Sequence, residues 1–149
     1  MMTFDSDISD VITRLLHAID AQDWAAVSDT LADRVNTDYT SLFGGAPQVQ
    51  AADDLIASWK GFLPGFDATQ HLTGPILSEV ASGEGRAYCA VTAVHRLGGA
   101  SWTVSGHYDI AVLRTANGWR IRGIRYRHAL TVGDTTLPAQ AQERVRGRA

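Results

Sequence analysis

Five histidines, one cysteine and a few well-spaced carboxylates are the side chains of this 149-residue chain best suited to moving protons. An imidazole titrates near ~6.5, so histidine is the natural acid or base at neutral pH. His95 shares its strand parity with Cys89, Val91, Ala93 and Leu97 and is therefore a polar group on an apolar surface that needs a partner. His71 lies in Thr69-Gln70-His71-Leu72-Thr73-Gly74, where alternation sets it opposite Leu72, Ile76 and Val80 and so away from the main core if only one sheet face is buried. Either histidine could equally be a buried structural one. His17, three residues before Asp20, forms an ordinary i, i+3 helical pair on the surface. Asp20 ends the first helix, where a carboxylate opposes the helix dipole unless something positive compensates it. It could instead cap the next helix, a role for which Asp23 competes. Tyr39, in Asp38-Tyr39-Thr40-Ser41, is either a strand aromatic or a hydrogen-bond donor in a pocket. No His-x-His, His-Glu-x-x-His or Cys-x-x-Cys spacing suggests a metal site, and there is no nucleophile elbow, Walker motif or dinucleotide fingerprint.

The elements that must position these groups follow from periodicity. Ile8, Val11, Ile12, Leu15, Leu16 and Ile19 repeat at helical spacing, with Ser6 available as the cap. A short second helix is expected from Trp24 to Leu31, capped by Asp23, then a β-prone stretch from Val35 to Phe43 ended by Gly44-Gly45-Ala46-Pro47. A third helix is expected from about Ala51 to Leu63, with Leu55, Ile56, Trp59, Phe62 and Leu63 on its apolar side and Pro64-Gly65 after it. From about residue 68 the period becomes two, giving four long strands near 68–81, 85–97, 101–115 and 118–131. The turns between them carry Ser82-Gly83, Gly98-Gly99 and Asn117-Gly118, which are hairpin signals and predict an antiparallel sheet. Pro138 and the Arg-rich Glu143 to Arg148 stretch are expected to fray as a tail. Helices followed by a strand meander make an α+β domain, with the helices on one face of a curved sheet.

Composition bounds the functions on offer. A chain of 149 residues, 45% apolar and 19% charged, supports one domain burying roughly 70% of its unfolded surface. No apolar run approaches the ~20 residues that cross a bilayer, and Met-Met-Thr-Phe-Asp-Ser-Asp lacks the pattern of a secretory leader, so a cytoplasmic location is expected. The single cysteine, Cys89, fits a reducing compartment. Net charge is −3, with eleven acids in the first seventy residues against Arg14, Arg34 and Lys60, and ten bases against five acids thereafter. Arg120, Arg122, Arg125 and Arg127 lie in a strand whose alternation sends them to different faces, so no nucleic-acid stripe is expected.

Asp20-Ala21-Gln22-Asp23-Trp24, Thr37-Asp38-Tyr39-Thr40-Ser41, Ala68-Thr69-Gln70-His71-Leu72-Thr73-Gly74, Val94-His95 and Ser105-Gly106-His107 together resemble scytalone dehydratase and the wider SnoaL-like group. That group belongs to the nuclear transport factor 2-like superfamily, whose cone of three helices on a curved antiparallel sheet is the architecture expected above. The resemblance covers about residues 6–132, read as one domain at 1–132 followed by a polar tail at 133–149. It implies that Asp20, Tyr39, His71 and His95 occupy the positions of the dehydratase's aspartate, one of its tyrosines and its two histidines. Asp20 and His71 also resemble the dyad of the lindane dehydrochlorinase branch. The pattern departs at Ile19, where the dehydratase has its second tyrosine, and at Ile110 and Val112, where it has a serine and an asparagine. An apolar C-terminal lid is not evident in the tail.

The implied activity is a lyase of the dehydratase type acting on a small cyclic hydroxy-ketone or polyketide-like substrate. Such a β-elimination needs a base for the α-proton, an electrophile for the enolate and an acid for the departing hydroxide. His71 is expected as the base, Tyr39 as the group that polarises the carbonyl and His95 as the acid, with Asp20 orienting one of the imidazoles. Each such group contributes ~10²–10⁴-fold, so neither metal nor organic cofactor is needed. Trp24, Trp59 and Phe62 are candidate walls of the substrate pocket. Isomerase, cyclase or dehydrohalogenase activity in the same fold, or a non-catalytic ligand-binding or assembly role, are the alternatives. The partly apolar second sheet face predicts self-association as a dimer or trimer.

Overall fold

A computed structural model describes Met2 and residues 5–148. Met1, Thr3 and Phe4, part of the stretch examined for a leader, and Ala149 at the end of the tail lie outside the described residues. Helix α1, Ser6–Ala21, buries Ile8, Val11, Ile12, Leu15, Leu16 and Ile19 on one face. Its cap is Asp5 and not Ser6: the Asp5 carboxylate accepts from the amides of Asp7 and Ile8 at 2.9 and 3.1 Å. The helix stops where Gln22 takes a left-handed conformation, φ 55°, and Asp23 N–H returns to the Ala18 carbonyl. Asp23 then caps α2, Trp24–Ser28, through Ala26 N–H at 3.1 Å, so the capping role is not Asp20's. Helix α2 ends three residues short of the expected Leu31, because Leu31 opens strand β1, Leu31–Asp38.

Thr40–Phe43 is one helical turn, α3, where a continued β-stretch was expected; the Asp38 carboxylate accepts from Thr40 N–H and Oγ1–H and turns the chain out of the strand. Strand β2, Gln48–Ala51, leads into α4, Ala52–Lys60, and a single 3-10 turn at Leu63–Gly65 replaces the expected end of that helix. The expected strand 68–81 is two strands, β3 at Ala68–Thr73 and β4 at Leu77–Ala81. Gly74-Pro75 interrupts it, since proline cannot continue a ladder. Strands β5, Glu84–Leu97, β6, Ala100–Thr115, and β7, Gly118–Gly133, form the expected hairpin meander.

The sheet order is β2-β1-β7-β6-β5-β3, with β4 also paired to β5. One pair corrects the all-antiparallel expectation: β1 runs parallel to β7. Hairpin turns fix direction only between sequence neighbours, and β1 meets β7 across the whole intervening chain. The sheet curves around α1, whose apolar stripe meets Val35, Ile110, Val112, Ile121 and Ile124 in one core. No helix among the described residues is long and apolar enough to cross a membrane.

The C-terminal stretch is a helix, α5 at Leu137–Arg148, and not a frayed tail. Leu137 and Ala141, one turn apart, are buried, and a Cβ on Gly65 would collide with the Ala141 carbonyl, so the helix backbone lies directly on the 3-10 turn. Arg144 pairs with Asp67 at 2.9 Å and Arg148 donates to the Pro64 carbonyl at 2.7 Å. Two apolar residues suffice to dock it, too few to register as a periodic pattern.

Candidate active site

Asp20 and His71 meet where the last turn of α1 faces the free edge of β3. Among the described residues strand β3 pairs only with β5, so amides on its other side have no ladder partner there. Asp20 Oδ2 accepts the His71 backbone N–H at 2.8 Å, and Oδ1 lies 2.7 Å from His71 Nδ1 and accepts from Thr69 Oγ1 at 3.0 Å. The carboxylate can only accept, so Nδ1 carries the proton. Nε2 has no hydrogen-bond partner among the described residues and is a base-competent lone pair. These donors are also what compensates a carboxylate at a helix C-terminus. Burial pushes the Asp20 pKa up, but the hydrogen bonds from the His71 side chain and backbone, the His71 charge and the Thr69 hydroxyl outweigh it, and the net shift is downward. The carboxylate thus stays ionised beside the imidazole. His17 is exposed and takes no part.

His95 is 4% exposed and its Nδ1 donates to the Trp102 carbonyl at 3.0 Å. Burial lowers its pKa to about 4, against the smaller effect of that hydrogen bond, so the ring is neutral at pH 7. Its ring centroid lies 6.3 Å from that of His71, and Phe66 and Trp102 flank it at 4.8 and 4.4 Å. Both neighbouring imidazoles thus direct Nδ1–H at a protein acceptor and keep Nε2 as the accepting nitrogen, but the partner is a carboxylate for His71 and a neutral carbonyl for His95.

Both rings line a cavity of about 150 Å³, whose wall is otherwise mostly apolar and includes Ile19, Trp59, Phe62 and Val91. Tyr39, Tyr108 and Tyr126 line the same space. Burial raises the pKa of all three phenols, so they are proton donors and not phenolates. Leu42, Phe43, Phe62 and Trp102 also belong to a second, larger chamber of about 740 Å³, bordered by His128, Thr131 and the start of α5. That helix forms part of the mouth, where no lid was evident in the sequence.

Of the residues singled out above, His71, His95, Tyr39, Trp59 and Phe62 line the cavity, and Asp20 stands directly behind His71. Trp24 does not line it; it packs against the core at the start of α2. His71 faces inward and Leu72 is 53% exposed, the reverse of the expected orientation. The break at Gly74-Pro75 separates Leu72 from the parity of Ile76, which is buried. Tyr108, Tyr126 and His128 were missed. Tyr108 continues the alternating stripe Trp102, Val104, Gly106, Ile110, Val112, and Tyr126 and His128 share a parity on β7, so a signal existed. Cys89 is buried and its thiol is pushed up to about 11, so it packs as a small apolar group. Among the described residues no group of three or more His, Cys, Asp or Glu could hold a metal ion.

The model of the SnoaL-like domain matches residues 3–125. None of the curated proteins matches. Among solved structures, the Kfla4162 protein of Kribbella flavida superposes with a TM-score of 0.81 at 21% identity, over 95% of each chain. A protein of Novosphingobium aromaticivorans DSM 12444, provisionally named a scytalone dehydratase, has a TM-score of 0.72 at 18% identity over 85% of this chain and 84% of its own. The hexachlorocyclohexane dehydrochlorinase LinA-type3 of Novosphingobium barchaimii LL02 has a TM-score of 0.69 at 16% identity over 87% and 89%. At such identities these likenesses speak to fold alone.

Proposed function

The chain belongs to the SnoaL-like domain family, and from that premise we propose that it is a lyase that removes a carbon-bound proton from a small cyclic compound and expels a leaving group from the adjacent carbon. The observation that carries this reading is the two-point clamp of Asp20 on His71, which holds Nδ1 at 2.7 Å and leaves Nε2 without a partner among the described residues at the wall of an apolar cavity. His71 Nε2 takes the proton, the C–H electron pair forms the new double bond directly or through an enolate, and the leaving group departs with its own pair. Asp20 stabilises the imidazolium that results, in a site where both side chains are largely shielded from water. Tyr39 is assigned the carbonyl of a ketone substrate, as a neutral phenol donating a hydrogen bond.

His95 suits a different task from the acid's. With Nδ1–H committed to Trp102, its Nε2 accepts a hydrogen bond and so orients a hydroxyl on the substrate. The inner cavity is similar in volume to engineered cavities of about 150 Å³ that admit a benzene-sized guest. The reacting ring is therefore a single one, with larger substituents reaching the outer chamber. Elimination is also compatible with the dehydratase and dehydrochlorinase names of two structural neighbours. Isomerisation or cyclisation would begin with the same proton abstraction. A purely ligand-binding role would leave the aligned, unpartnered Nε2 without purpose.

The test uses β-hydroxy- and β-chlorocyclohexanone as probes. His71→Ala is expected to lower turnover ~10²–10⁴-fold and Asp20→Asn about 10²-fold, read by product absorbance. If both variants match the parent, the reading is wrong. Exchange of the α-proton with solvent deuterium, without loss of the leaving group, would favour the isomerase or cyclase reading instead. We also infer self-association through the outer sheet face, where Leu72, Leu130 and Val132 are more than half exposed.

A further inference from the structure

An elimination that expels hydroxide needs a proton donor at the leaving group. His95 is not poised for that, because its one N–H is spent on Trp102. The phenols of Tyr39, Tyr108 and Tyr126 remain as donors on the cavity wall. Tyr39 and Tyr108 make no side-chain hydrogen bond to the protein among the described residues, so a proton they gave up would have no protein route of return.

Tyr126 differs. Its hydroxyl lies 3.0 Å from His128 Nδ1, and His128 Nε2 lies 2.9 Å from Thr131 Oγ1. His128 and Thr131 border the outer chamber, whereas Tyr126 lines the inner one, so the three side chains span the two. The backbone is built around this alignment. Gly106 pairs with His128 and Ser105 with Leu130, which leaves Ala129 as an extra residue in β7. That bulge brings His128 and Thr131, an odd number of residues apart, to the same side of the strand. Ser41 of α3 secures the segment from outside, accepting the His128 amide and donating to the Tyr126 carbonyl, both at 2.9 Å. On β6, a Cβ at Gly106 would collide with the Arg127 carbonyl and come within 2.9 Å of the Tyr126 ring.

We propose that Tyr126 donates the proton taken up by the departing hydroxide, and that His128 and Thr131 return a proton to it from the outer chamber. This rests on the elimination reading of the same cavity. At the start, Tyr126 accepts the His128 Nδ1–H, Thr131 donates to Nε2, and the phenolic O–H is free to face the substrate. As the C–O bond breaks, its electron pair leaves with oxygen, which takes the phenolic proton and departs as water. The Nδ1 proton moves to the phenolate oxygen, Nε2 takes the Thr131 hydroxyl proton and water in the outer chamber reprotonates Thr131; His128 is then the Nε2–H tautomer, and exchange of its ring protons with that water restores Nδ1–H before the next turnover. His71 later releases the α-proton to solvent, so protons balance over the cycle. Tyr126 is the catalytic residue; His128 and Thr131 act through it.

The experiment compares leaving groups that do and do not need protonation, on cyclohexanone bearing β-hydroxyl, β-acetoxy or β-chloro substituents. Tyr126→Phe is expected to slow loss of hydroxide about 100-fold and loss of chloride less than about threefold. His128→Gln is expected to slow loss of hydroxide about tenfold with chloride spared, and added imidazole is expected to restore much of the rate to His128→Ala. If Tyr126→Phe slows all three alike, or leaves hydroxide untouched, the proposal is overturned. Should Tyr126→Phe not fold, the same leaving-group pattern in His128→Gln and Thr131→Val decides, and equal effects on hydroxide and chloride overturn the relay. His71→Ala should slow all three leaving groups alike; if it slows none, the elimination reading fails on its own account, distinguishably from the relay.

Discussion

His71 and His95 lie close enough for their rings to interact, yet their Nδ1–H groups are held by different partners, a carboxylate for His71 and a backbone carbonyl for His95. The neutral state of His95 has a cost that can be read from stability. Its pKa is about 4 in the folded protein against 6.5 for an ordinary imidazole. Between those values the unfolded chain binds a proton that the native protein refuses, so stability falls as pH drops from 6.5 towards 4, by about 3 kcal/mol in all. His95→Phe removes that dependence: urea midpoints at pH 7, 5.5 and 4 should converge towards those expected from the remaining groups, and an unchanged slope would count against the burial argument. The sequence already marked His95 as polar among apolar neighbours, because its strand is regular over its full length. His71 was harder to orient, since alternation could not be carried through Gly74-Pro75, and the acidic residue that secures it lies on another element. Spacing alone does not report such tertiary partners.

Among the elements, the helices and the hairpin meander were legible because each carries its own period and its own turn chemistry. What was not legible depends on contacts distant in the chain. The parallel β1–β7 pair has no turn to announce it, and α3 depends on an Asp38 side chain bending the chain after a strand. Helix α5 carries no legible period because, among the described residues, Leu137 and Ala141 alone of its side chains are buried, and its Arg144 and Arg148 contacts lie far away in the chain. That anchoring makes Gly65 critical. A side chain there meets the backbone of Ala141 and not a flexible tip, so Gly65→Ala must displace α5 or the 3-10 turn. The expected cost is about 1–3 kcal/mol. The expected signature is faster tryptic cleavage at Arg144, Arg146 and Arg148, with the remainder of the domain still resistant. Equal cleavage rates in parent and variant would show that the helix is held by other means.

Taken whole, the molecule has an inner cavity walled mostly by its core and an outer sheet face that is part polar and part greasy. Arg86 with Asp109, and Arg125 with Asp38, occupy one end of the outer face. Across the other end, Leu72, Thr92, Ser105 and Leu130 are successive partners in one row, with Gln70, Val94, Thr103 and Val132 in the next. A second copy would cover the apolar end and leave the ion pairs at the rim. Sedimentation over a hundredfold range of concentration should show a dimer or trimer, and Leu130→Glu should shift it towards monomer; a parent that remains monomeric throughout excludes the interface. Composition foretold the greasy parity but not its division into two ends, which needs the register of four strands.

The double use of Asp20 bears on how this sequence can change. Its carboxylate orients the proposed base and also occupies an amide on the last strand of the sheet. Replacing it with a residue lacking an acceptor would expose that amide as an open seam, where a stray strand from another chain could pair. Selection for solubility and selection for proton transfer would then act on one side chain, and drift away from catalysis would not release it.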